Sequence, residues 1–210
     1  MRDRVRHQLD TQGFAVIDVD DQLFTGEEWD LLDQGITDEH MPYEKVITGD
    51  AGEPNCVEVG RLMTDIEHPQ IVNRKASEPI LNVLGSPDRL KFFSDIVGCD
   101  SVSLRRAQIN RMPSGSYIGT HVDQDSNPDY TIAIVLQFGS SFTGGEFVVH
   151  GKDGSVISIA PRYRSVIISR CDWAHEVLPV KSGVRTSLVF FVSGYSGQNR
   201  RVDRMESVLA

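Results

Sequence analysis

Between residues 102 and 193 the chain alternates short apolar runs with turn residues. The runs 102–111, 116–123, 131–138, 145–151, 154–160, 165–170, 175–180 and 185–193 are rich in Val, Ile and Phe, which predicts a series of short strands. Strands of that number and spacing form a sandwich or barrel. The first half reads differently. Residues 13–19 form an apolar, β-branched run behind a glycine and predict a buried strand. Thr25 then stands as an N-cap before Glu27, Glu28, Trp29 and Leu32, which predicts a helix. Residues 69–84 and 88–97 carry apolar positions at helical spacing, separated by Gly85-Ser-Pro87 and ended by Gly98. From 37 to 67 no period is sustained, and Met41-Pro42 and Gly49-Asp-Ala-Gly-Glu-Pro54 predict a long irregular segment, either a lid or binding segment or a solvated excursion. The polar tail after Tyr195, Ser-Gly-Gln-Asn-Arg-Arg-Val-Asp-Arg, is expected at the periphery. The pattern thus predicts one domain over 1–210, mainly β with flanking helices. Residues 1–100 supply support and the lid, and 101–195 the β core.

Composition narrows the function. Thirty acidic against 21 basic residues leave a net charge of −9, which repels a phosphate backbone and argues against nucleic acid as partner. The N-terminus has no apolar core of a signal peptide, and no run is long enough for a membrane span, so a cytoplasmic protein with no membrane partner is expected. Cys56, Cys99 and Cys171 are odd in number and lack metal-type spacing, and no role is assigned to them.

The chemistry begins in Tyr117-Ile-Gly-Thr-His-Val-Asp123. Read as part of the 116–123 strand, it projects His121 and Asp123 from one face. Alone, such a histidine is more often a hydrogen-bonded core residue than a ligand. A second, His175, opens a later strand after Cys171-Asp-Trp-Ala, and Arg185 and Ser187 share a face of the strand beyond it. Two imidazoles and a carboxylate on neighbouring strands can hold a divalent metal and leave other positions open, as in the facial triad of non-haem Fe(II) oxygenases. A guanidinium beside a hydroxyl suits a planar carboxylate. Iron plus a dicarboxylate is the reading that uses all five residues.

The ordered set His121-x-Asp123, His175 and Arg185-x-Ser187 resembles the Fe(II)/2-oxoglutarate-dependent dioxygenase superfamily, of prolyl-hydroxylase-like or small-molecule hydroxylase type. Phe142-Thr-Gly-Gly-Glu-Phe147 looks like that family's Gly-Gly hairpin, and His175-Glu-Val-Leu-Pro-Val-Lys-Ser-Gly-Val-Arg185 is similar to its segment around the distal histidine. The match covers 108–193. The resemblance implies a double-stranded β-helix, the jelly roll of cupin-like proteins, with Fe(II), 2-oxoglutarate and O2 as metal and cosubstrates. His121, Asp123 and His175 would be the ligands. Arg185, helped by Ser187, would bind the distal carboxylate of 2-oxoglutarate, and Asn110 is a candidate contact to it.

Two departures stand out. Tyr117 lies four positions before the first ligand, where many prolyl-hydroxylase-like members have a tyrosine three before, and Arg164 replaces a frequent turn glycine. The family's nucleic-acid demethylases carry a second arginine where this chain reads Val189-Phe-Phe-Val192, and its halogenases a small residue where this chain has Asp123. The implied reaction is hydroxylation of an unactivated C–H bond of a small molecule, such as a free amino acid or natural-product intermediate, with release of succinate and CO2. Arg106, on the parity of Gln108 and Asn110, either meets a substrate carboxylate or lies solvated beside Arg105. Trp173 either lines the pocket or packs in the core, and Gln137 either points inward or is an edge amide. The alternatives are a peptidyl, prolyl-type hydroxylase and a cupin-like metal protein that does not use 2-oxoglutarate. The last leaves Arg185-x-Ser187 without a role.

Overall fold

The strand Ile132–Phe138 is buried at every residue, because a separate core presses on each of its faces. Ile132, Ile134, Leu136 and Phe138 join the core under the helices, and Ala133 and Val135 join the core inside the sheet. That double burial explains why the run is continuously apolar rather than alternating.

In the computed structural model, which describes residues 1–201, thirteen strands form one curled antiparallel sheet. Its larger half runs in the order β1 (Phe14–Ile17), β11 (Val166–Arg170), β7 (Ile132–Phe138), β13 (Val180–Ser193), β5 (Ser103–Pro113) and β3 (Pro54–Asp65). It continues through β6 (Tyr117–His121), β12 (His175–Val177), β9 (Phe147–His150) and β10 (Val156–Ile159). The strands β2 (Tyr43–Thr48) and β4 (Pro69–Ile71) pair with β3, and β8 (Phe142–Gly144) pairs with β13. β3 joins the halves: Val59 and Arg61 pair with β5, whereas Asn55 and Cys56 pair with β6. The sheet therefore folds over itself as a jelly roll, and Phe147, Val149 and Val177 face Val135, Val189 and Phe191 across the inner core.

Four helices cover the outer face of the larger half: α1 (Arg2–Gln12), α2 (Gly26–Ile36), α3 (Arg74–Leu84) and α4 (Pro87–Val97). The N-cap expected at Thr25 is a capping box, with Thr25 Oγ1 accepting from Glu28 N and the Glu28 carboxylate accepting from Thr25 N. Gly98 closes α4 in the left-handed region at φ 73°. None of these helices is long and apolar enough to cross a membrane.

Four expectations need correction. Residues 37–67 are not irregular: β2 and β3 form a long antiparallel hairpin, and the alternation over 54–59, with Asn55, Val57 and Val59 buried and Pro54, Cys56 and Glu58 exposed or half-buried, is a strand signal hidden among polar residues. Helix α1 is additional, and the expected 69–84 helix begins only at Arg74, because Pro69–Ile71 first pairs with β3. The run 116–123 stops as a strand at His121. The tail after Tyr195 is not peripheral. Arg105 Nη1 donates to the carbonyls of Tyr195 and Gly197 at 3.0 and 2.8 Å, and Asn199 Nδ2 donates to Asp65 O at 2.7 Å. The last residues of that stretch, 202–204, lie outside the described residues.

Arg105 anchors this tail from a fully buried position. Its Nε and Nη2 form a two-point ion pair with the Asp65 carboxylate at 3.0 and 2.9 Å, and neither side chain reaches solvent. Breaking such a pair strands a charge in the interior. Asp65→Ala is therefore expected to lower stability by about 3–5 kcal/mol, measured by urea unfolding, and a loss under 1 kcal/mol would mean that water reaches Arg105.

The turn holding Arg164 shows why a glycine suits that position. Its φ is 58°, in the left-handed region, and the side chain offsets the strain with ion pairs to Asp30 and Asp33 of α2 at 2.5 and 2.9 Å.

Candidate active site

His121 ends β6 and His175 begins β12, and the two are register partners with ring centroids 4.4 Å apart. Each Nδ1 lies against a backbone carbonyl two residues earlier, Gly119 O at 2.8 Å and Trp173 O at 3.0 Å. This fixes both rings and turns both Nε2 atoms inward, the usual support for a metal-binding imidazole. Both approach Asp123, with Oδ1 3.5 Å from His121 and Oδ2 3.6 Å from His175. Asp123 reaches them from the start of a 3₁₀ turn, Asp123–Asp125, and not from the strand. Gln124 N donates to Cys171 O at 3.2 Å and pins that turn. One ligand atom from each of the three residues falls within 4.8 Å of the others, a donor set that fits Fe(II).

The electrostatics follow from burial and from the carboxylate. Burial alone would lower the His121 pKa, but the hydrogen bond and charge of Asp123 outweigh it and raise it to about 9. Burial pulls His175 below the ordinary histidine value. Burial opposes ionisation of Asp123 too, yet the two imidazoles hold its carboxyl below the usual range.

Arg185, on β13, is 1% exposed. Its Nη1 donates to Ser187 Oγ at 3.1 Å and contacts Met112 Sδ at 3.5 Å, while Nε and Nη2 are buried without a partner among the described residues. Burial with no counter-ion pulls its pKa down to about 10. The Gly-Gly hairpin makes room for it, since a Cβ on Gly145 would come within 2.7 Å of Arg185 Cδ. A two-donor edge of a cation, left open inside the protein, fits the carboxylate end of 2-oxoglutarate.

Triad and arginine share one cavity of about 820 Å³ between the two halves of the sheet. Asn110 and Ser187, register partners on β5 and β13, both line it. Asn110 Oδ1 accepts from Gln108 Nε2 at 2.8 Å. Arg106 also lines it, half-buried and paired with Asp50 at 3.0 Å, whereas Arg105 is fully buried away from it. Trp173 is not among the lining residues. Its indole packs over Gly13, where any Cβ would lie 2.2 Å from the ring. Gln137 is likewise outside the lining, its Nε2 donating to the carbonyls of Phe138 and Thr186.

Sequence reasoning missed the roof. Asp50 at the β2–β3 hairpin tip, Ser126 after the 3₁₀ turn, and Gln198, Asn199 and Arg201 of the tail all line the cavity. Arg201 Nη1 reaches Asp50 Oδ1 at 2.9 Å, joining tail to hairpin. No local pattern signals this, because the contact spans 151 positions.

The sequence pattern of the 2OG-Fe(II) oxygenase superfamily matches residues 107–193. No curated relative matches the chain. Among solved structures, an oxidoreductase of the 2OG-Fe(II) oxygenase family from Burkholderia pseudomallei is 40% identical, with a TM-score of 0.87 over 96% of this chain and 95% of its own. A Pseudomonas putida prolyl-4-hydroxylase is 15% identical at TM-score 0.66, over 92% of this chain and 98% of its own. The α-ketoglutarate-dependent epimerase SnoN from nogalamycin biosynthesis is 8% identical at TM-score 0.71, over 91% of this chain and 80% of its own. The last two share the fold alone. The 40% identity with the Burkholderia pseudomallei protein across nearly the full length, with the donor set and the open guanidinium in place, shows that this chain belongs to the 2OG-Fe(II) oxygenase family.

Proposed function

We propose that the protein hydroxylates an unactivated C–H bond of a small molecule, with His121, Asp123 and His175 holding Fe(II) and Arg185 and Ser187 holding 2-oxoglutarate. The family's cofactors, Fe(II) with 2-oxoglutarate and O2, supply an oxidant for such bonds and release succinate and CO2. The observation that carries the cosubstrate assignment is Arg185, a buried cation whose Nε and Nη2 lack partners. A carboxylate placed there gains two charge-assisted bonds and relieves the burial cost at once.

The chain's own residues divide the remaining work. The backbone carbonyls of Gly119 and Trp173 hold the imidazole rings so that their Nε2 atoms converge. Asn110, with its Oδ1 taken by Gln108, is left to donate from Nδ2 toward the cosubstrate. Val135, Val189 and Phe147 keep the neighbourhood of the triad apolar and exclude water from it. The small-molecule reading rests on the enclosure: the hairpin tip and the tail roof the cavity, where a long peptide would need an open groove.

The test is anaerobic addition of Fe(II) and then 2-oxoglutarate, looking for the visible charge-transfer band of an iron-chelated keto acid, followed by succinate-release assays with small molecules and with proline-containing peptides. A band, with turnover stimulated by small molecules, is the expected result. Stimulation by peptides alone would replace the small-molecule reading, and iron binding without a band would overturn the cosubstrate assignment.

A further inference from the structure

The cavity floor has a guanidinium at each end. Register across β13 and β5 sets Arg185 opposite Met112, Ser187 opposite Asn110, Val189 opposite Gln108 and Phe191 opposite Arg106. Strand alternation keeps these on one face, and at the ordinary rise of about 3.3 Å per residue the ends of the row lie roughly 20 Å apart. Arg185 serves the cosubstrate. Arg106 ends the row on the other side, close enough to Asp123 to help hold that carboxyl ionised.

Arg106 is only partly satisfied by protein. Its Nε donates to Gln108 Oε1 at 3.1 Å and its Nη1 to Asp50 Oδ2 at 3.0 Å, while Nη2 has no partner among the described residues. The Gln108 contact, continued to Asn110, fixes the guanidinium against the floor. Its partner Asp50 belongs to the roof instead, on the tip of the β2–β3 hairpin, where it also accepts from Ser126 Oγ and Arg201. The carboxylate on Arg106 is thus carried by a connecting turn, and a carboxylate from solution has the same charge and shape.

A second observation points to a ligand in the same row. Ser169 pairs with Ala133, which pairs with Phe191, so its hydroxyl faces the cavity across the small Ala133 side chain. Ser169 is 2% exposed and its Oγ has no partner among the described residues. A buried hydroxyl left unpaired costs about 1–3 kcal/mol, a cost that a bound polar group removes. Between Arg106 and Ser169 the floor is apolar, formed by Phe191 and Ala133 with Val189 and Val135 behind them.

We propose, resting on the oxygenase reading above, that the substrate is a small carboxylic acid whose carboxylate is bound by Arg106 in competition with Asp50. Its apolar portion lies over Phe191 and Ala133, and a polar substituent meets Ser169. Asp50 then acts as the resting occupant of the anchor, and its displacement loosens the hairpin tip where substrate enters.

To test this, protein loaded anaerobically with Fe(II) and 2-oxoglutarate is titrated with free L-amino acids and short straight-chain carboxylic acids, each beside its carboxamide. Binding is read from thermal unfolding and from perturbation of the visible band. At least one acid is expected to bind, with its amide at least tenfold weaker. Arg106→Gln should abolish that discrimination, whereas Asp50→Asn, which releases the guanidinium, should tighten the acid. If Arg106→Gln fails to fold, the opposite-signed effect of Asp50→Asn decides alone. A normal band with acids and amides binding alike, with no acid binding, or with weaker acid binding in Asp50→Asn overturns the anchor and leaves the oxygenase reading standing. Absence of the band instead fails the cosubstrate assignment, and the acid-over-amide preference of the iron-free protein then decides the anchor by itself.

Discussion

Arg185→Met is expected to raise the 2-oxoglutarate KM by roughly 30-fold to several thousand-fold, the equivalent of about 2–5 kcal/mol for removing one member of a buried charged pair. The same substitution should leave the cosubstrate-free protein as stable as the parent, or more so. Both effects follow from one observation: the guanidinium is 1% exposed and has no counter-ion among the described residues. Methionine retains most of the apolar stem beside Met112 and removes a charge whose burial is unfavourable until a carboxylate arrives. The measurements are steady-state KM values and thermal unfolding with and without 2-oxoglutarate. A drop in unliganded stability together with an unchanged KM would assign Arg185 to structure and remove it from the cosubstrate site.

His175→Ala and His121→Ala are each expected to abolish iron-dependent turnover while the protein stays folded, as judged by circular dichroism. A related result concerns pH. In the metal-free site His121 has its pKa raised to about 9 by Asp123, so below that value it carries a proton that iron must displace from Nε2. Fe(II) affinity should therefore fall as pH is lowered from about 9, by up to tenfold per unit for one proton released. Burial shifts His175 the other way, below the ordinary histidine value, so the proton release is assigned to His121. Affinity that does not change across the neutral range would mean that His121 is unprotonated before iron binds. Full turnover in either alanine variant would remove that residue from the triad.

Much of the site was legible because its parts lie on β strands, where side-chain direction follows from parity. Arg185 with Ser187, and Asn110 with Gln108 and Arg106, fall on the cavity face as alternation requires. His121 and Asp123 converge as well, although the strand ends at His121 and a 3₁₀ turn delivers the carboxylate. Trp173 could not be placed from its sequence neighbours, because the space it fills is left by Gly13 at the far end of the chain.

The sequence by itself determined the succession of strands in the second half, the helices α2, α3 and α4 under them, the spacing of His121, Asp123 and His175, and the side of its strand on which Arg185 lies. These are local properties, set by side-chain periodicity, caps and short motifs. Only the tertiary structure decided what covers the cavity. The hairpin of β2 and β3 is held in the sheet by β5 and β6, which follow it in the chain. The tail is polar, and it stays folded because Arg105 and Asn199 satisfy its backbone and that of the β3–β4 turn. Polar composition says that such segments can be solvated. Whether they are depends on hydrogen bonds to partners distant in sequence, which is why the roof and Asp50 came from the fold alone.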